Sequence, residues 1–281
     1  MSVRRLAAAF AVPVSTVGHW VAQPAQRTAV ATRPRPVSSQ QELRDKIRSL
    51  CDEPRHQTFG YRRIRALLRR RFGLCVSRKT VSRIMREEGL SRPRIWHRPT
   101  RPKRIEKACP KGPDECWQID MTSFQLSDMT TLFLVVVIDC FTREIVGHTL
   151  DRRCRAKEWV AAVRMALEQR GLSKEDAKSL TLRSDNGSQP CSKAFVEYIG
   201  STGVTSQYTG YNAPDDNAFV ERVIRTIKEE EVWPNLWDTF FEAREALDDY
   251  VFYYNNDRIH SALAYATPKE VADASIALKA A

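Results

Sequence analysis

Three acidic residues, Asp120, Asp185 and Glu221, stand where apolar segments meet polar ones. Asp120 follows Trp117-Gln118-Ile119 and is expected to end a strand. Asp185 follows Thr181-Leu182-Arg183-Ser184 and precedes Asn186-Gly187, so the chain should turn directly beyond a second strand. Glu221 lies near the start of a helix opened by Asp216-Asn217-Ala218, and 35 residues separate it from Asp185. Taken singly, each has an ordinary explanation as a turn aspartate or a glutamate favoured by a helix dipole. Brought together, they would form a set of hard oxygen donors suited to Mg²⁺. Two such ions held ~3.5–4 Å apart can activate a water or a 3′-hydroxyl and stabilise the leaving oxygen of a phosphodiester. Asp139, at the end of the run Val135–Asp139, competes for the first position.

The elements that must position these acids follow from periodicity. Cys116–Asp120, Thr131–Asp139 and Glu144–Leu150 pattern as strands, the second apolar on both faces. Ala156–Gln169 has helical spacing and stops at Gly171. Leu180–Arg183 and Thr205–Tyr208 suit short strands, Lys193–Gly200 a helix, Asp216 to Trp233 another, and Phe240–Tyr254 a last long one. Three strands in succession followed by alternating helix and strand predict an α/β fold with a mixed sheet flanked by helices, compatible with a ribonuclease-H-like core. An all-α domain precedes it. Ser39 and Glu42 form a capping box before the face Leu43, Ile47, Leu50. A second helix runs from Tyr61 to Gly73, and Ser77 caps a third whose inner face is Val81, Ile84 and Met85. This is the pattern of a helix-turn-helix, with Arg78, Lys79, Ser82, Arg83 and Arg86 on the outer face of the last helix.

Charge divides the chain the same way. Residues 1–112 hold 27 Lys/Arg against 7 Asp/Glu, a balance of +20, whereas residues 113–281 hold 18 against 27, a balance of −9. A segment so cationic favours a polyphosphate partner through counterion release, so the outer-face cations are expected to contact DNA. Boundaries are expected at 1–38 (a short helical segment over 3–20 and a linker), 39–91 (helix-turn-helix), 92–112 (a basic Arg/Pro linker), 113–266 (catalytic core) and 267–281 (a tail). Arg4-Arg5 and the apolar residues after them imitate a secretory signal, but Pro13, His19 and Trp20 interrupt it. Seven scattered cysteines without zinc-ligand spacing suit a reducing compartment, and no apolar run is long enough to span a membrane.

Several runs carry a family resemblance: WQIDMT at 117–122, RSDNGSQ at 183–189 and DNAFVERVIRTIKEE at 216–230. Together with the 35-residue gap, they resemble the DDE integrase core shared by retroviral integrases and bacterial insertion-sequence transposases. YNNDRIHSALAYATP at 254–268 resembles the segment closing that core in the IS-three family's second reading frame. FGYRRIRALLRRRFGLCVSRKTVSRIMREEGL at 59–90 is similar to the helical domain before it. The resemblance implies Asp120, Asp185 and Glu221 as catalytic metal ligands for two Mg²⁺ ions, with Mn²⁺ as a substitute, and Asp139 as structural. It implies that Asn217 sets the loop before Glu221.

Helical spacing independently puts Glu221, Arg225 and Lys228 on one face, so both cations could meet a DNA phosphate at the metal site; an intrahelical Glu–Arg pair is the alternative. Two departures from the family pattern are Pro190-Cys191 after Gln189 and the loop Gly210–Asp215. The zinc ligands of retroviral integrases are absent, which favours the insertion-sequence branch. The implied function is cleavage and strand transfer of element DNA by a homo-oligomer assembled on DNA. A separate upstream-frame protein is the implied partner, and the implied location is the bacterial cytoplasm at the nucleoid. A DNA-binding regulator without activity and a nuclease without strand joining are the alternatives.

Overall fold

The protein is described here from a computed structural model covering residues 40–91, 110–209 and 217–280. The helices expected within 3–20, the Ser39 cap, most of the two linkers and the loop 210–216 lie outside the described residues.

Three helices form the first domain: α1 (Gln40–Asp52), α2 (Tyr61–Phe72) and α3 (Arg78–Glu87). Their inner faces are those expected, Leu43, Ile47 and Leu50 on α1, Ile64, Leu67 and Leu68 on α2, and Val81, Ile84 and Met85 on α3. Gly73 ends α2 at φ 69°, a left-handed conformation that glycine adopts without steric cost. Ser77 caps α3, its side chain accepting the Thr80 N–H at 3.1 Å. Glu88, beyond α3, is gripped by Arg44 and Arg48 of α1, which locks the first helix to the third.

The second domain is built on a five-stranded sheet. Its strands are β1 (Cys116–Gln125), β2 (Thr131–Asp139), β3 (Ile145–Asp151), β4 (Thr181–Ser184) and β5 (Thr205–Tyr208), in the order β3-β2-β1-β4-β5. β2 runs antiparallel to both β1 and β3, and β4 and β5 run parallel to β1. Helices cover both faces, which is why β2 is apolar throughout. Trp117, Ile119, Val135 and Val137 pack under α4 (Ala156–Arg170) and α5 (Lys193–Thr202). Leu134, Val136 and Ile138 pack under α6 (Ala218–Ile227) and α7 (Phe240–Asn256). The sheet and α4 approach closely at Gly147, where a Cβ would lie 2.3 Å from the carbonyl oxygen of Ala162. The mixed sheet flanked by helices, behind an all-α domain, is the fold expected from the periodicity.

Three local expectations need correction. Asp120 does not end a strand: β1 continues to Gln125 because β2 pairs with it along its whole length, from Trp117↔Asp139 to Gln125↔Thr131. The helix read from Asp216 to Trp233 starts at Ala218, and its last turn, Lys228–Val232, is π-helical, with Trp233 N–H donating to the Lys228 carbonyl at 2.8 Å. The wider turn carries Glu230 and Glu231 inward, toward arginines 258 and 55. Residues 268–280, read as a tail, form α8 (Pro268–Ala280). Thr267 and Glu270 make reciprocal capping bonds at its start, and Pro268 sits at its first position.

The two domains dock. Ile259, in the segment after α7, is part of the apolar cluster of the helical domain. Glu230 accepts from Thr58 Oγ1 at 2.9 Å, Glu231 pairs with Arg55 at 3.1 Å, and Arg70 pairs with Glu270.

Candidate active site

The register of the parallel pair places the first two acids. β1 and β4 pair from Cys116↔Thr181 to Gln118↔Arg183, and the ladder stops there. Asp120 and Asp185 are each two residues further on, at the open end of the ladder and on the sheet face that carries Gln118. Asp120 is half-buried within β1, and its carboxylate accepts the Met121 N–H at 2.7 Å. Asp185 begins the turn after β4 and accepts the Gly187 N–H at 3.1 Å. A Cβ on Gly187 would lie 3.0 and 3.3 Å from the two Asp185 oxygens, so a larger residue there would shift that carboxylate by a few tenths of an ångström. Asn186 Nδ2 donates to the Thr209 carbonyl at 2.7 Å, tying the turn to the end of β5.

Glu221 arrives by a different route. Gln118, buried on β1, turns its Oε1 toward the start of α6 and accepts the N–H groups of Phe219 at 3.0 Å and Val220 at 3.1 Å. These are among the helix's first N–H groups, which have no partner within the helix. Asn217 Nδ2 donates to the Ile119 carbonyl at 3.3 Å, pinning the residue before α6 to the strand beside Asp120. Asn217 therefore acts on the strand, and the loop it was expected to set lies outside the described residues. With Val220, Val223, Ile224 and Ile227 buried beneath it, α6 brings exposed Glu221 to Asp120.

The electrostatics register that convergence. Burial first, and then the charges of Asp185 and Glu221, raise the Asp120 carboxyl, which stands at about 6. The Met121 hydrogen bond and the charge of Lys228 oppose them. Among the described residues, no three His, Cys, Asp or Glu side chains are gathered tightly enough to grip a metal ion as they stand. The donor set nevertheless fits a hard divalent cation. It offers carboxylate oxygens, with excess negative charge that a cation would relieve.

Asp139 belongs to the other end of the sheet. It is fully buried, and its oxygens accept the N–H groups of Asp114 at 2.9 Å, Phe141 at 2.6 Å and Thr142 at 3.2 Å, with Arg170 3.6 Å away. Those contacts hold the β2 turn and face away from the three acids. Of the two cations expected beside the metal site, Lys228 is half-buried with its charge acting on Asp120. Arg225 donates to Glu229 at 2.9 Å, so its ion pair points along the helix to Glu229. The outer-face residues Arg78, Lys79, Arg83 and Arg86 are exposed on α3, with Arg83 3.9 Å from Glu87. The roles of Gln118 and Glu230 were not anticipated from the sequence. A polar residue inside an apolar strand, and two consecutive acids at a helix end, were the available signals.

Comparison with known proteins agrees with this architecture. The family profile "Integrase core domain" matches residues 110–214, a second profile of that description matches 202–268, and "HTH-like domain" matches 38–99. A 31.7 kDa protein of insertion element IS407 from Burkholderia multivorans is 31% identical over 215 residues, covering 76% of this chain and 75% of that one. The transposase of insertion sequence element IS904 from Lactococcus lactis is 30% identical over 242 residues, covering 81% and 92%. Among solved structures, the catalytic core domain of HTLV-2 integrase in complex with magnesium aligns at a TM-score of 0.45 and 18% identity, over 57% of this chain and 97% of that one. No helix among the described residues is long and apolar enough to cross a membrane. Matched across both its domains by such relatives, the chain belongs to the integrase-core transposases of insertion-sequence elements.

Proposed function

We propose that the protein cuts and joins DNA strands at the site formed by Asp120, Asp185 and Glu221. The observation that carries this reading is the arrival of Glu221 beside the open end of the β1–β4 ladder, through the bonds from Gln118 and Asn217. The three carboxylates would hold two Mg²⁺ ions, or Mn²⁺ in their place. When bound, the ions supply Lewis acidity that activates the attacking oxygen and stabilises the leaving one.

In the first reaction a water oxygen bonds to phosphorus as the P–O3′ bond breaks, leaving a 3′-hydroxyl and a 5′-phosphate. In the second, that 3′-oxygen attacks another phosphodiester, whose own P–O3′ bond breaks. The chain's part is positional. The Met121 N–H orients Asp120, the Gly187 N–H orients Asp185, and Lys228 neutralises charge where a phosphate enters. Arg78, Lys79, Arg83 and Arg86 grip the duplex from the helical domain, and Arg225 adds a contact beside the site if a phosphate displaces Glu229. Joining two element ends calls for a dimer or larger assembly on DNA, aided by an upstream-frame helix-turn-helix protein. The segments 39–91, 92–112 and 113–266 serve as gripping domain, basic tether and catalytic core at the nucleoid.

The test is incubation of purified protein with element-end DNA, with and without Mg²⁺ or Mn²⁺, scoring cleavage and joining separately. Asp185→Asn should retain DNA binding and lose nicking; nicking that survives refutes the site. Cut ends without any joined product would identify a nuclease.

A further inference from the structure

α6 has a second polar flank. Glu221, Arg225 and Lys228 share one flank of the helix, whereas Arg222, Thr226 and Phe219 fall on the neighbouring flank, Arg222 about 100° round from Glu221 at 100° per residue. That second flank borders a cavity of about 400 Å³ at the seam between the domains, and its lining includes Arg63 from α2, Arg143 from the β2–β3 turn, Arg222, and Arg258 with His260 after α7. No carboxylate is among the lining residues. Glu230 lies behind Arg258 and is already engaged by Arg258, Tyr250 and Thr58. Of the lining arginines, Arg258 and Arg63 face this one buried acid, Arg63 at 3.8 Å.

The consequences show in the neighbours. Burial first, and then the positive charge of Arg258, hold the Arg63 guanidinium below its ordinary value. The same two influences push His260 down to about 3, so its ring is neutral near pH 7. Arg143 is laid over the Phe219 ring with its guanidinium carbon 3.6 Å from the ring centre, and Arg63 lies over Phe59 at 4.8 Å. Stacking fixes the planes of these side chains. Arg222 is exposed at the mouth and has no ion-pair partner among the described residues.

We propose that this arginine-lined cavity is a second DNA-backbone site, receiving a phosphate of the strand that crosses α6 from the catalytic carboxylates. Preset, planar, always-charged forks are suited to a tetrahedral phosphate, which can accept two donors from one guanidinium. A helix with its side chains is about 10 Å across, so a strand engaged at Asp120 can reach the neighbouring flank within a few nucleotides. Because Arg63 belongs to the helical domain and the other arginines to the core, the site also requires the docked arrangement. This assignment rests on the DNA-cleaving and joining reading.

Equilibrium binding of the full chain to a 20-base-pair duplex, measured by fluorescence anisotropy from about 50 to 200 mM salt, tests it. Arg222→Ala should lower the slope of log K against log salt by about 0.9, the value for one lost phosphate contact. Arg222→Lys should restore most of that slope, and Lys157→Ala, on exposed α4 surface, should leave it unchanged. An unchanged slope for Arg222→Ala, or an equal fall for Lys157→Ala, overturns the site. In parallel, thermal melting with inorganic phosphate identifies a free-anion site: a rise in Tm that Arg222→Ala abolishes, without any change in DNA slope, also overturns the assignment. Failure of the wild-type chain to bind any duplex would refute the DNA reading itself, and this site with it.

Discussion

Replacing Glu230 by Gln should weaken the fold more than any other single polar change described here. The Glu230 side chain is 7% exposed and that of Arg258 is 3% exposed. Arg258 Nε and Nη2 each donate to the carboxylate at 2.8 Å, Tyr250 and Thr58 hydroxyls donate at 2.9 Å, and Arg63 lies 3.8 Å away. Glutamine keeps the shape but removes the charge, and it turns an amide NH₂ toward donors. A buried guanidinium is then left without its counter-ion, a defect that costs about 3–5 kcal/mol. At roughly 2–4 °C per kcal/mol for a chain of this size, Tm should fall by on the order of 10 °C. The effect carries a pH signature. Burial alone would raise the Glu230 carboxyl, but the hydrogen bonds and charge of Arg258, with the Tyr250 and Thr58 bonds, hold it below its ordinary value. A carboxyl lowered on folding stabilises above its unfolded pKa, and that contribution disappears as pH falls through the folded value. The penalty of Glu230→Gln should therefore be full at pH 7 and shrink below about pH 4. Urea unfolding followed by tryptophan fluorescence, in a double-mutant cycle with Arg258→Met, measures it. A loss under about 1 kcal/mol, or strictly additive effects of the two substitutions, would refute the reasoning.

Gly187→Ala would place its Cβ 3.0 Å from an Asp185 oxygen, so the carboxylate must move while the fold does not. Nicking should fall several-fold, on the order of 3- to 10-fold, with DNA affinity unchanged; activity equal to wild type would contradict the placement. Asp120→Asn should stabilise the metal-free protein above pH 6, by up to about 3 kcal/mol, because folding raises this carboxyl from 3.8 to about 6. The sign follows from proton uptake on folding: the charged form is penalised fully above pH 6, and the penalty shrinks as pH falls toward 4 and is gone well below 3.8, where both states are protonated. Urea midpoints at pH 4 and pH 8 decide it, and an equal shift at both would count against the effect. Gly147→Ala must push a Cβ into the Ala162 carbonyl, 2.3 Å away, and should destabilise by about 1–3 kcal/mol or more. A chain melting as wild type would show that α4 can shift off β3 freely.

The sequence by itself determined whatever depends on near neighbours. Leu43, Ile47 and Leu50, or Ile64, Leu67 and Leu68, share a face because of helical geometry alone, and those faces are buried as expected. The run Thr131–Asp139 was readable as a central strand, since it is short, rich in β-branched residues and apolar on both faces. Thr267-Pro268-Lys269-Glu270 was also legible, as a capping box with proline at the first position, although it was read as the start of a tail. The identity of the three acids was readable as motif, but not the reason they meet.

That reason is tertiary. Asp120 sits mid-strand because β2 extends β1 to Gln125, while the parallel ladder to β4 stops at Gln118, opening the edge at which Asp120 and Asp185 emerge. Glu221 reaches them because Gln118 satisfies N–H groups 101 and 102 residues away. The π-turn and the Glu230–Arg258 pair likewise arise from charges that burial forces together across the domain seam. Periodicity is set by covalent neighbours and survives in the sequence. Which distant polar group a buried amide must find depends on how whole faces pack, and only the packed chain decides that.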